Sequence, residues 1–206
     1  MNTKVVYDIL RNVDKVNNYE FSENSIKEIE QYQGSGFKGV LKEKNDQWII
    51  YKVSERKTID DKIIVKSFLD EEEALKAFLI QKLRDIIILQ YRKDLYVKHN
   101  INLTKFNYTD LQEILKEIPS EYYCYFPTEK INSYQLIEKN DSFSYQYIYK
   151  DGKVSGYNNE LFKIPSWQVL SSFLTAVYIL FMIKSILLKY KQIELNENDY
   201  FTPSIW

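Results

Sequence analysis

One cysteine and one histidine in 206 residues leave this sequence short of the side chains from which most catalytic and metal sites are built. Cys124 has no partner for an internal disulfide, so it reads as a small buried hydrophobe in a chain kept in a reducing cytoplasm. His99 stands in Lys98-His99-Asn100 with no cysteine or second histidine at metal-ligand spacing, which excludes a common zinc site. A Ser-His-Asp or Cys-His device would have to use the same His99, and no G-x-S-x-G elbow accompanies it; an exposed loop histidine is expected. There is no P-loop and no dinucleotide fingerprint. The five glycines are too few and too irregular to cradle a phosphate, and Gln33-Gly34-Ser35-Gly36 reads as a hinge into a strand. Charge of one sign is missing as well: 28 basic and 29 acidic residues leave a net charge of -1. That balance argues against a general nucleic-acid binder, whose affinity rests on a basic surface, and equally against a strongly acidic nuclease decoy. Adjacent carboxylates at Asp60-Asp61 and Glu71-Glu72-Glu73 have simpler roles, at a turn and at a helix start, than acid-base chemistry. No catalytic group, cofactor or metal is therefore expected, and the chain is not expected to be an enzyme.

What is present is core material, 45% hydrophobic and 16% aromatic, enough for one domain over residues 1–206 or for a subdivision into 1–94 and 95–206. The wealth of Lys, Asn, Ile and Tyr reads as an AT-rich bacterial genome. The first fifteen residues carry charges at every turn and no apolar run, so no secretory signal is expected there.

The chain is organised around Phe37–Arg92. Phe37-Glu43, Trp48-Ser54 and Lys62-Phe68 are short runs rich in β-branched and aromatic residues, separated by turns that contain Asn45-Asp46 and Asp60-Asp61. Asp70 then offers an N-cap oxygen, Glu71 to Glu73 match the positive end of the helix dipole, and an apolar stripe begins at Ala74. The expectation is an antiparallel β-meander packed by a long helix, a β-β-β-α unit in an α+β protein. In the middle strand Trp48, Ile50 and Lys52 share one face and Ile49, Tyr51 and Val53 the other, as in a central strand. The helix should run from about Asp70 to Tyr91, with Leu75, Leu79, Leu83 and Ile86 as its seam, widened by Phe78 and Ile87. Lys76, Lys82, Arg84 and Asp85 fall on its polar side.

That stretch resembles a pattern in small bacterial immunity proteins. Trp48-Ile49-Ile50-Tyr51 matches a W-x-[IV]-Y strand, Ser54-Glu55-Arg56 an S-E-R turn, Phe68 the end of a strand, and Asp70-Glu71-Glu72 with Ala74 a helix opening D-E-E-x-A. Lys57 stands where the pattern has glycine. Such proteins are encoded beside polymorphic or secreted toxins and block the toxin in the producing cell. The resemblance implies a cognate toxin domain as partner and no catalysis.

On either side of this stretch the pattern is plainer. Val5, Val6, Ile9, Leu10, Val13 and Val16 predict a helix over Thr3 to about Val16. Ser22 or Ser25 is placed to cap a short helix through Ile26, Ile29 and Tyr32, with a strand left open. Thr109 or Asp110 should cap a helix whose Leu111, Ile114, Leu115 and Ile118 face inward and which Pro119 ends. A second, aromatic β-hairpin region follows, with Tyr122-Phe126, Tyr134-Glu138 and Phe143-Tyr149, then a return through Asp151-Gly152 as a type I′ turn. Phe143, Tyr145, Tyr147 and Tyr149 share a face that serves either packing or a partner. No charge occurs from Ser166 through Ile183 in a long apolar C-terminal helix, Trp167 to about Ile193. A central core helix is expected; a homodimer interface and a membrane span are the alternatives, and a membrane-associated or homo-oligomeric structural protein built on residues 167–188 is the rival function. Glu194–Asp199 reads as an acidic loop, with Tyr200, Phe201, Ile205 and Trp206 folding back. The candidate partner-binding residues are Glu55, Arg56, Glu71, Tyr145 and Tyr147, although each also has a structural reading, Glu55 and Arg56 as a pair with each other or with the helix.

Overall fold

The computed structural model describes residues 1–29, 36–140, 142–157 and 164–190. The expected hinge at Gln33-Gly34-Ser35, the helical continuation to Ile193 and the acidic and aromatic tail lie outside them. The class is α+β, with one five-stranded and one four-stranded sheet. The chain divides into two compact units at Ile86/Ile87, eight residues before the expected boundary at 94/95.

The first unit opens with α1 (Thr3–Val13), capped by the Asn2 side chain, which accepts from the Val5 N–H at 3.1 Å. Val6, Ile9, Leu10 and Val13 are buried along one stripe. The helix stops short of Val16 because Asp14 turns into extended backbone and its carboxylate gathers the Val16 and Asn17 amides, both at 3.0 Å, and the Tyr19 hydroxyl at 2.6 Å. Burial works against that carboxylate, but the hydrogen bonds from Asn17, Tyr19 and Val16 outweigh it and hold the Asp14 pKa below the usual value. Burial, and then the Asp14 carboxylate, push the Tyr19 pKa up.

Residues 19–28 correct the expected short helix: β1 (Tyr19–Ser22) and β2 (Ser25–Glu28) form a hairpin. Ile26 is buried opposite Val40 of β3 (Phe37–Lys42), whereas Ile29 is exposed, so a period of two overrides a period of 3.6. With β4 (Trp48–Val53) and β5 (Ile63–Phe68) the sheet is a continuous antiparallel meander in chain order. Strand β4 is buried on both faces, as a central strand should be. On one face Ile49, Tyr51 and Val53 cluster with Phe37 and Leu41. Tyr51 lies directly over Gly39, where a Cβ would come within 2.5 Å of its hydroxyl, so only glycine fits there; burial pushes the Tyr51 pKa up to about 12.

Helix α2 (Glu71–Ile86) covers the other face. Asp70 Oδ1 accepts from the Glu73 N–H at 2.8 Å, and Ala74, Leu75, Phe78, Leu79, Leu83 and Ile86 are buried. Lys82 is the exception to the helical wheel. Expected on the polar side, it is 3% exposed and pairs with Glu28 of β2, with Asp85 Oδ2 at 3.8 Å. Glu28 also accepts from the Lys38 N–H at 2.7 Å, and Lys38 Nζ reaches Asp85 at 2.7 Å. An ionic cluster built around the buried Lys82, with Glu28, Asp85 and Lys38 partly exposed, therefore ties α2 to β2 and β3.

The second unit begins in a π-helical turn, Ile87–Tyr91, which runs into α3 (Arg92–Lys98), so the helical segment outlasts the expected end at Tyr91. Helix α4 (Tyr108–Leu115) is capped by Asn107 rather than Thr109 or Asp110. Asn107 Oδ1 accepts from both their amides, at 2.9 and 3.1 Å, while Asp110 returns a bond to the Asn107 N–H. Leu111, Ile114, Leu115 and Ile118 are buried as expected, and the helix ends four residues before Pro119.

Strands β6 (Tyr123–Tyr125), β7 (Ser133–Lys139), β8 (Ser142–Ile148) and β9 (Val154–Tyr157) lie in chain order, with β6 parallel to β7. The β8–β9 connection is a three-residue loop and not a type I′ turn. Only Gly152 takes a positive φ, 78°, and its N–H donates to the Tyr149 carbonyl at 3.0 Å. Cys124 is buried and free. Helix α5 (Ser166–Leu187) packs on β7, β8 and α4, and its Leu170, Phe173, Leu174, Val177 and Leu180 enter one core with Leu111, Leu136 and Tyr147. It is the central helix of this unit. Among the described residues it is also the one helix long and apolar enough to cross a membrane.

Candidate interaction surface

Strand β5 occupies the end of its sheet, and among the described residues it pairs only with β4. Its first three residues are apolar without alternation, so this half of the strand shows hydrocarbon on both sides: Ile63, Ile64 and Val65 are 49%, 50% and 50% exposed. Such an edge offers a row of main-chain donors and acceptors beside apolar side chains, which is the chemistry that accepts an added strand. Two features restrain it. The register slips between Ile50 and Tyr51, leaving Val65 as a bulge residue, and the Lys66 ammonium sits over the Phe68 ring at 4.9 Å from its centre.

The turn Ser54–Lys57 lies at one end of β5. The Lys57 N–H donates to the Ser54 carbonyl at 3.2 Å, and Arg56 takes φ 61°, the strained position of the turn. Glu55 and Arg56 are exposed, and neither belongs to an ion pair with another described residue. Next to them Asp61 accepts from the Thr58 N–H and hydroxyl, at 3.1 and 3.2 Å, and these bonds hold its pKa below the usual value. At the opposite end of β5, Glu71 sits half-buried in the first turn of α2, near enough to Lys42 to help raise that lysine's pKa after the nearer Asp46. The expected residues Glu55, Arg56 and Glu71 thus bracket a strand edge about 20 Å long whose first half is apolar.

Protein-family models, curated proteins and solved structures offer no match to this chain. The surface has to be read from its own geometry.

Tyr145 and Tyr147 are placed elsewhere, in the second unit, on the face of β8 that α5 covers. Tyr147 is 3% exposed, with the rings of Tyr134 and Tyr149 each at 5.1 Å, and Tyr145 meets Phe173 edge-on at 5.9 Å. Tyr147 has no surface to give a partner and is a packing residue, whereas Tyr145 is half-buried and keeps part of its ring at the surface. His99 is likewise not an exposed loop residue. It caps α3, half-buried, with Nε2 3.4 Å from a Glu117 oxygen. The Lys98 hydrogen bond, with a smaller contribution from His99, holds the Glu117 pKa below normal. No group of three or more His, Cys, Asp or Glu side chains is placed to hold a metal among the described residues. The residues that sequence reasoning missed are Ile63, Ile64 and Val65. The run Ile63-Ile64-Val65-Lys66, with Asp60-Asp61 before it, was the available signal, since unbroken hydrocarbon next to charge is how a short edge strand reads.

Proposed function

We propose that this chain is an immunity protein, which binds a cognate bacterial toxin domain in the cytoplasm of the producing cell and occludes its active site without catalysis. One observation carries the reading. The residues of the immunity-protein pattern fall on consecutive elements in the order the pattern requires: Trp48 and Tyr51 buried in β4, Ser54-Glu55-Arg56 exposed in the turn, Phe68 closing β5, and Asp70 capping α2. The same segment presents the apolar edge with charged groups at both ends, and a surface of that kind gives main-chain affinity along the strand and charge specificity at its ends. Co-expression with the toxin encoded beside it should restore growth. Ile63→Lys combined with Arg56→Glu should abolish the rescue without lowering the melting temperature, since both side chains are exposed. Failure of the unaltered chain to bind or neutralise any neighbouring toxin sinks the proposal.

A second reading has its own support. Helix α5 is long and apolar enough to cross a membrane, which is the observation behind a membrane-associated or homo-oligomeric structural protein built on that helix. Fractionation separates the two: recovery only in detergent supports this rival, and a soluble monomer removes it.

A further inference from the structure

The second unit carries a groove of about 560 Å³ that the toxin reading does not use. It lies along the helical segment from Ile88 to Val97 and is closed by the chain that turns back through Asn100, Ile101 and Leu103. Asn100 takes φ 49°, which ends α3, and the Ile101 N–H returns to the Tyr96 carbonyl at 2.9 Å, so the wall is held by main-chain bonds. Two stripes of side chains form the floor. Leu89, Lys93 and Val97 recur at four-residue spacing, as do Ile88, Arg92 and Tyr96. Leu89 and Val97 are each 72% exposed among the described residues. Leu89 stands in the π-helical turn, a local widening that recurs at functional sites.

The charge in this groove is one-sided. Its lining contains Arg92 and Lys93 and no carboxylate, and neither cation is in an ion pair with a described residue. The Arg92 guanidinium lies 5.8 Å from the centre of the Tyr96 ring, which holds it along the wall with its donors still available. From Leu89 to Val97 the floor is about 12 Å long, the span of two turns of a guest helix. Lipid headgroups are the weaker match, because surfaces that hold anionic membranes use clusters of about four to eight Lys or Arg, and this groove has two cations in a chain of net charge -1. We propose that the groove docks an amphipathic helix of a protein partner, whose apolar stripe packs on Leu89, Val97 and Ile101 and whose carboxylates pair with Arg92 and Lys93. The proposal concerns a surface separate from β5 and stands or falls independently of the toxin reading.

Two fluorescein-labelled synthetic helical peptides test it against the full chain. Both carry leucine at helical spacing, one with glutamate and the other with lysine at the flanking positions, and binding is read by polarisation. The acidic peptide should bind saturably and about tenfold more tightly than the basic one. Arg92→Glu with Lys93→Glu should invert that preference, which a merely damaged fold would not do. Leu89→Ser, at an exposed position, should weaken both peptides while leaving the circular dichroism unchanged. Equal binding of the two peptides, binding of neither, or a preference indifferent to the charge reversal overturns the proposal. So does tighter Arg92-dependent binding to phosphatidylserine vesicles than to the acidic peptide, which would assign the groove to a membrane.

Discussion

The two units solve one problem, a long helix on a β-sheet, with different chemistry. In the first, α2 is fastened to the five-stranded sheet by aliphatic packing and by the buried Lys82 with its partly exposed partners Glu28 and Asp85. In the second, α5 meets the four-stranded sheet at a ring contact, Phe173 against Tyr145 of β8 at 5.9 Å, within a sheet whose own Tyr134 and Tyr147 rings pack at 5.1 Å, and its Phe181 meets Tyr122, just before β6, at 5.6 Å. The less apolar helix hides a lysine, whereas the fully buried side chains of the more apolar one are all hydrocarbon. Whether a helix can bury a charge is therefore decided by the partners that cross to it. An ionic fastening is sensitive to the loss of one member, because the survivor is left charged and buried. An aromatic fastening is sensitive to lost volume.

The largest effect should come from Phe173→Ala, a loss of about 3–5 kcal/mol in denaturant unfolding. Hydrogen exchange should rise in β7 and β8 while the β3–β4 amides keep their protection. Loss of protection in both units together would break the comparison. Next, Lys82→Ala should cost about 3 kcal/mol by leaving the Glu28 carboxylate without its cation, and Lys82→Met with Glu28→Gln should recover most of that loss. If the double variant is as unstable as the single, the cluster acts by packing and not by charge.

A smaller effect, about 1–2 kcal/mol, is expected for Asp14→Asn, which weakens the bonds that end α1. The folded Asp14 pKa lies below 3.8, so its contribution is complete above the unfolded value and is lost as the pH falls through the folded one. The denaturant midpoint of the unaltered chain should accordingly fall at the acid end of a titration from about pH 6 to about pH 2, and fall less in Asp14→Asn. The smallest effects belong to the caps. Asp70→Ala in the first unit and Asn107→Ala in the second should each cost about 1 kcal/mol in thermal melts, since one side-chain oxygen does the same work in both. Unequal costs would sharpen the contrast by assigning one of these residues a further contact.

Much of this was legible wherever the deciding interaction is local. Asp70 precedes the amides it caps by three residues, the faces of β4 follow from strict alternation, and the seam of α2 from four-residue spacing. The helix expected through Ile26 and Ile29, with a strand left open, is a strand over Ser25–Glu28, because four residues do not separate a period of two from one of 3.6; the pairing of Ile26 with Val40 makes the choice. Lys82 looked solvated because its anion is Glu28, far away along the chain. Of the candidate surface, the positions of Glu55, Arg56 and Glu71 followed from the turn and the helix start. The exposure of β5 did not, nor did the burial of Tyr147, since each depends on what lies alongside.

By itself, the amino-acid order determined the strands of the β3–β5 meander, the start of α2 at Asp70 and which positions are apolar, because these depend on neighbours within a turn or a strand. Only the tertiary structure decided which strand became the open edge, which tyrosines were hidden and which lysine was enclosed. Those outcomes are set by solvent exclusion between segments far apart in the chain, and no local pattern encodes what will lie across from it.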